Sequence, residues 1–167
     1  MTAPVARVYL DTNIFIYALE ETISLDGSIA RFLMAAARVS QGFVTSELSL
    51  SELLVKPHRE ADGILINRYE NFIQTSAWLN VPPVSRSVLA YAAVLRAKNK
   101  GLKLPDAIHL STAIGSACSH FLTADTGILD TYDLLHPIYG GAETVQPLRI
   151  VRPDVPTLTS LLQSLAS

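Results

Sequence analysis

This chain is poor in the features that would make its role easy to read. Among its 167 residues there is one cysteine, Cys118. No disulfide can form within the chain, which excludes a disulfide-stapled scaffold. No apolar run is long enough to span a membrane. The first residues carry one basic side chain, Arg7, and lead straight into a strand pattern, so no signal peptide is expected. These absences point to a cytoplasmic protein. Positive charge is not in excess either. Thirteen Lys and Arg against 15 Asp and Glu leave a net charge of −2, so no global basic field advertises nucleic acid. Gly101 and Gly140-Gly141 lack the context of a phosphate-binding loop. Ser49 and Ser51 have no convincing histidine partner, which argues against a serine hydrolase. His58, His120 and His136 show no metal-ligand spacing.

What is present is apolar and periodic. Hydrophobic residues make up 49% of the chain, enough for a sizeable core, and the length suits a single domain over residues 1–167. Short β-branched and aromatic runs read as strands: Val5 to Leu10, Phe43 to Thr45, Trp78 to Val81, Phe121 to Thr123 and Leu148 to Val151. Between them lie helical patterns. One starts near Asn13. Another runs from a Ser28 cap to about Gln41, with Gly42 as its stop. Ser49 to Lys56 is the next, stopped by Pro57, followed by Asp62 to about Ser76. Ser85 to Lys100 ends at Gly101, Pro105 opens a helix to about Ser116, and Thr157 to Leu165 is the last. Residues 131–147 read as a loop. Strands alternating with helices imply a parallel sheet covered on both faces, with the site beyond the carboxyl ends of the strands.

Four acids fall where those elements would carry them to one sheet edge: Asp11, Glu52, Asp106 and Asp125. Each has an ordinary explanation when taken alone. Asp11 can cap a helix, Glu52 can pair with Lys56 one turn on, Asp106 suits a helix dipole, and Asp125-Thr-Gly can be a turn. As a set they suit a hard divalent cation, because crowded carboxylates repel and oxygen ligands fit magnesium or manganese. Glu47 is the alternative to Glu52 and reads as a solvated cap. Asp130 and Asp133 are minor candidates. His109, one turn after Asp106, could be a ligand or proton carrier, but its apolar neighbours favour a packed helix histidine. Arg96, Lys98, Lys100 and Lys103 form the only dense basic stretch. It is either a solvated helix end or a grip on a phosphodiester backbone.

The motifs Leu10-Asp11-Thr12-Asn13, Ser51-Glu52-Leu53-Leu54 with Pro57, Leu104-Pro105-Asp106-Ala107-Ile108-His109 and Leu122-Thr123-Ala124-Asp125 resemble, in this order, the PIN-domain ribonucleases, and among them the VapC-type toxins of toxin–antitoxin pairs. The resemblance runs from Val8 to about Val151. It implies a three-layer α/β/α sandwich with a central parallel sheet. It implies that Asp11, Glu52, Asp106 and Asp125 hold Mg2+ or Mn2+, supported by Asn13 and Thr123. It also implies RNA as substrate, a small antitoxin as partner, and a homodimer. Hydrolysis by ion-activated water needs no nucleophilic side chain, which agrees with the missing serine and cysteine sites. Two rivals remain: a PIN-fold module that binds RNA or a partner without a toxin role, and a phosphoacceptor domain. The second lacks the lysine it would need after a late strand, and Asn13 stands where a dehalogenase-type phosphatase wants a second aspartate.

Overall fold

The computed structural model describes residues 5–20, 27–39, 42–134 and 147–166. Its strands are β1 (Val8–Leu10), β2 (Phe43–Val44), β3 (Leu79–Asn80), β4 (His120–Leu122) and β5 (Arg149–Val151). They form one sheet in the order β3-β2-β1-β4-β5, and every pairing is parallel. The helices are α1 (Thr12–Leu19), α2 (Ser28–Ala36), α3 (Glu47–Arg59), α4 (Gly63–Phe72), α5 (Arg86–Lys98), α6 (Leu104–Gly115) and α7 (Val155–Leu165).

The central strands are apolar without interruption because both faces of the sheet are covered. Alternation sorts their side chains between two cores. Val8, Leu10, Phe43 and Leu122 enter one core with Ile14, Phe15, Phe32, Tyr69 and Leu158, from α1, α2, α4 and α7. Tyr9, Val44 and Phe121 enter the other with Tyr91, Leu95 and Leu110, from α5 and α6. The result is the α/β/α sandwich that the sequence implies.

Several element boundaries differ from the sequence reading, each for a local reason. Helix α2 stops at Ala36, well before Gln41, and the chain leaves it through a tight turn in which Arg38 and Val39 donate to Ala35 and Ala36. Gly42 serves instead as a close approach. A Cβ there would lie 3.1 Å from Leu165 of α7. Helix α3 runs through Pro57 to Arg59. The buried proline sits in the last turn, and the helix ends in a Schellman motif, with Asp62 N–H donating to Pro57 and Ala61 at φ 53. At the end of α5, Asn99 stops the helix before Gly101. Its side chain donates to Leu95 and Asp133 carbonyls and accepts from Asp133 N–H. The buried Cys118 lies just past the end of α6, its thiol pushed up to about 12 by burial. Of the loop read over 131–147, residues 135–146 lie outside the described residues.

Candidate active site

The chain goes from β1 outward to β2 and β3, then returns to lay β4 on β1's other side. That reversal makes the carboxyl ends of β1 and β4 a topological switch point, the usual ligand position in sheets of this kind. Leu10 and Leu122 are in register, and Asp11 N–H donates to the Leu122 carbonyl at 3.0 Å. Asp11 and Thr123 therefore leave the sheet side by side.

Asp11, 5% exposed, is the N-cap of α1. Its Oδ1 accepts from Thr12 N–H at 2.8 Å. Its Oδ2 accepts from Asn13 Nδ2 at 2.8 Å and from Thr123 Oγ1 at 2.6 Å. Thr123 in turn accepts from Asn13 Nδ2 and Asp125 N–H, and Asn13 Oδ1 accepts from Ala124 N–H. One closed network thus ties the end of β1 to the end of β4.

Asp106 arrives from another direction, in the first turn of α6 with Pro105 before it. It is half-buried, and no donor among the described residues reaches its carboxyl. Burial raises that carboxyl above its ordinary value, and the charges of Asp11 and then Asp125 raise it further, against smaller opposing effects of His109 and Lys103. Three of the four acids therefore share one electrostatic neighbourhood. Asp125 is exposed on the turn after β4. Its Oδ1 accepts from Gly127 N–H at 2.7 Å, an approach that a Cβ on Gly127 would obstruct at 3.0 Å. Arg152, just past β5, clamps this turn by donating to the carbonyls of Asp125 at 2.6 Å and Ile128 at 2.5 Å.

Glu52 enters from α3. Its Oε2 accepts from Thr12 Oγ1 at 2.5 Å and from His109 Nε2 at 2.8 Å. Burial alone would raise its carboxyl, but the hydrogen bond and charge of His109, together with Thr12, hold it below the ordinary value. Lys56, the expected partner of Glu52, pairs instead with the buried Glu20, which also accepts from Tyr69. His109 is buried, as the sequence suggests, yet its surroundings are polar on both sides: Nδ1 lies 2.7 Å from the Tyr9 hydroxyl.

The basic stretch divides. Lys103 is close enough to Asp106 to affect its charge. Lys98 pairs with Asp133 at 2.8 Å, and Arg96 donates to the Leu102 carbonyl. Lys100 is exposed, as are Glu47 and Asp130. His58 is exposed, His120 bonds to Ser119, and His136 lies outside the described residues. Arg152 and Tyr9 were missed. The rule that found Asp11 and Asp125, an acid at a strand's carboxyl end, would have found Arg152 if widened to any charged residue and applied to β5. Tyr9 shows only as a polar tip in an apolar strand.

Among the described residues, no three Asp, Glu, His or Cys side chains stand close enough to enclose a metal ion unaided. The donor set still suits a hard cation that keeps much of its water. Magnesium is usually held by one or two carboxylates and several waters. Asp106, with no donor and two acids nearby, and Asp11 could supply that pair.

The parallel α/β/α sandwich brings acidic side chains to its switch point. The sequence pattern of the PIN domain matches residues 8–134, and the chain belongs to the PIN domain family, a family of nucleases. Solved structures share the fold at low identity. FitAB bound to an IR36 DNA fragment is similar with a TM-score of 0.61 and 17% identity, over 87% of this chain and 94% of that one. FitAcB from Neisseria gonorrhoeae gives 0.56 and 20%, over 72% and 88%. A toxin–antitoxin complex from Klebsiella pneumoniae gives 0.53 and 23%, over 75% and 98%. Curated protein sequences give no significant match. No described helix is long and apolar enough to cross a membrane.

Proposed function

We propose that the chain is a metal-dependent endoribonuclease acting as the toxin of a toxin–antitoxin pair. The observation that carries this reading is Asp106, a half-buried carboxyl with no donor among the described residues, raised by burial and then by the charges of Asp11 and Asp125 at the sheet's carboxyl edge. Such an arrangement opposes its own ionisation and is relieved by a cation. Asp11 and Asp106 would hold Mg2+ or Mn2+ directly, with Asp125 and Glu52 completing or orienting the shell. Bound there, the ion would supply positive charge to the scissile phosphate and activate a water. Asn13 and Thr123 fix the direction of Asp11. Lys103, whose charge reaches Asp106, would offer a cation to the phosphate backbone. The toxin–antitoxin complexes that share the fold support the toxin role and a small antitoxin partner, and the family resemblance read from the sequence supports a homodimer.

The test is RNA cleavage by the purified chain with Mn2+ or Mg2+, and again with excess chelator. Cleavage should need the ion and vanish with the chelator. Expression without a partner should arrest bacterial growth, and Asp11→Asn should relieve the arrest. Cleavage undiminished by chelator contradicts the mechanism. Cleavage without growth arrest leaves a PIN nuclease that is not a toxin.

A further inference from the structure

We propose that His109, with Tyr9 behind it, is a positioning residue that fixes Glu52 for the reaction. The proposal rests on the nuclease reading above. Asp106 and His109 are three residues apart on α6 and so share a helix face. The helix thus delivers one acid itself and holds a second through an imidazole.

A carboxylate oxygen can only accept, so the proton between Glu52 and His109 sits on Nε2. On the far side the ring meets the Tyr9 hydroxyl, 2.7 Å from Nδ1, in a fully buried position. The imidazole, 2% exposed, therefore has both nitrogens engaged and no freedom to turn. Thr12, at the start of α1, holds the same Glu52 oxygen at 2.5 Å. Two donors from two elements converge on Oε2, and no described donor reaches Oε1. That oxygen is left to a cation or its water. A histidine that merely packed would not need a hydroxyl behind it and a carboxylate in front. Outer partners of this kind matter roughly 10- to 100-fold in metal affinity or activity.

The test compares His109→Phe, His109→Gln and Tyr9→Phe with the wild-type chain. Phenylalanine keeps the ring and removes both nitrogens. Glutamine returns an N–H donor near the Nε2 position. Thermal midpoints, Mn2+ affinity by calorimetry without RNA, and kcat and KM for RNA are measured on each. His109→Phe should lose roughly 10- to 100-fold in Mn2+ affinity or kcat, with KM unchanged. His109→Gln should recover most of that loss, and Tyr9→Phe should fall between. A loss in kcat with Mn2+ affinity intact also supports the proposal, and places Glu52 on the water rather than the ion. Folded variants with wild-type Mn2+ affinity and kcat overturn it. So does a His109→Gln variant no better than His109→Phe. If His109→Phe fails to fold, His109→Gln and Tyr9→Phe carry the test by their Mn2+ affinity and kcat. Wild-type chain that binds Mn2+ without cleaving RNA ends the ribonuclease reading alone. A weaker Mn2+ site in the His109 variants would still uphold the positioning role. Wild-type chain that binds no Mn2+ ends both.

Discussion

Asp11 and Asp106 are both aspartates near a helix N-terminus at the same edge of the sheet, yet their surroundings are opposite. Asp11 has three donors on its two oxygens and is almost fully buried. Asp106 has no donor among the described residues and is pressed upward by burial and two neighbouring charges. Asp11 is built into the protein with its charge satisfied. Asp106 is held where its charge is opposed by burial and two acids and offset only in part by His109 and Lys103. A site for a cation needs both kinds of acid, one that fixes a position and one that gains from the ion's arrival.

The comparison breaks most visibly on truncation. Asp11→Ala leaves two buried donors, Thr12 N–H and the Thr123 hydroxyl, without their Asp11 acceptor, takes one of two acceptors from Asn13 Nδ2, and removes a helix cap. It should cost about 3 kcal/mol, a fall in thermal midpoint of about 6–12 °C for a domain of this size. Asp106→Ala should cost far less in the absence of metal. Both should abolish cleavage. Equal losses of stability would mean that the two acids are not different in kind.

A smaller effect concerns pH. Asp106 is raised in the folded chain, so its relative contribution to stability is full below the ordinary aspartate value of 3.8 and is lost as pH rises through the raised folded value. Metal-free wild type and Asp106→Asn should therefore diverge in thermal midpoint across that window, with the variant gaining as pH rises. Curves that stay parallel would remove the repulsion argument.

The basic stretch sharpens the picture least. Within that stretch, Lys103 is the residue whose charge acts on Asp106, while Lys98 already pairs with Asp133. Lys103→Ala should flatten the salt dependence of RNA binding by about 0.7 in log–log slope, the value of one phosphate contact on a single strand. Lys98→Ala should change it less. An unchanged slope in the Lys103 variant would leave these residues as solvated helix-end charges.

The fold and three acids of the site were legible in the sequence for the same reason. Strand ends and helix starts are local patterns, so Asp11, Asp125 and Asp106 could be placed by reading along the chain, while Asn13 and Thr123 came only from the family resemblance. Pairing across the fold was not legible. Glu52 looks like a partner for Lys56 on one helix, but tertiary packing gives Lys56 to Glu20 and Glu52 to His109. The apolar neighbours of His109 concealed two polar partners from elements far away in sequence. Boundaries moved where local chemistry outweighed the usual stop signal. Pro57 was tolerated in a last helical turn, and Asn99 ended α5 before Gly101 could.

The central claim is that Asp106 faces a cation that completes the site. It is tested most directly by the thermal midpoints of wild type and Asp106→Asn near neutral pH, with and without Mg2+. Without the ion, the variant should melt at least as high as wild type, because removing one charge relieves repulsion. Adding Mg2+ should raise the wild-type midpoint, since a ligand that binds the folded state stabilises it, and should raise the variant less. An Asp106 that only complements the helix dipole would behave otherwise. A metal-free variant clearly less stable than wild type, with equal Mg2+ shifts in both, would contradict the account.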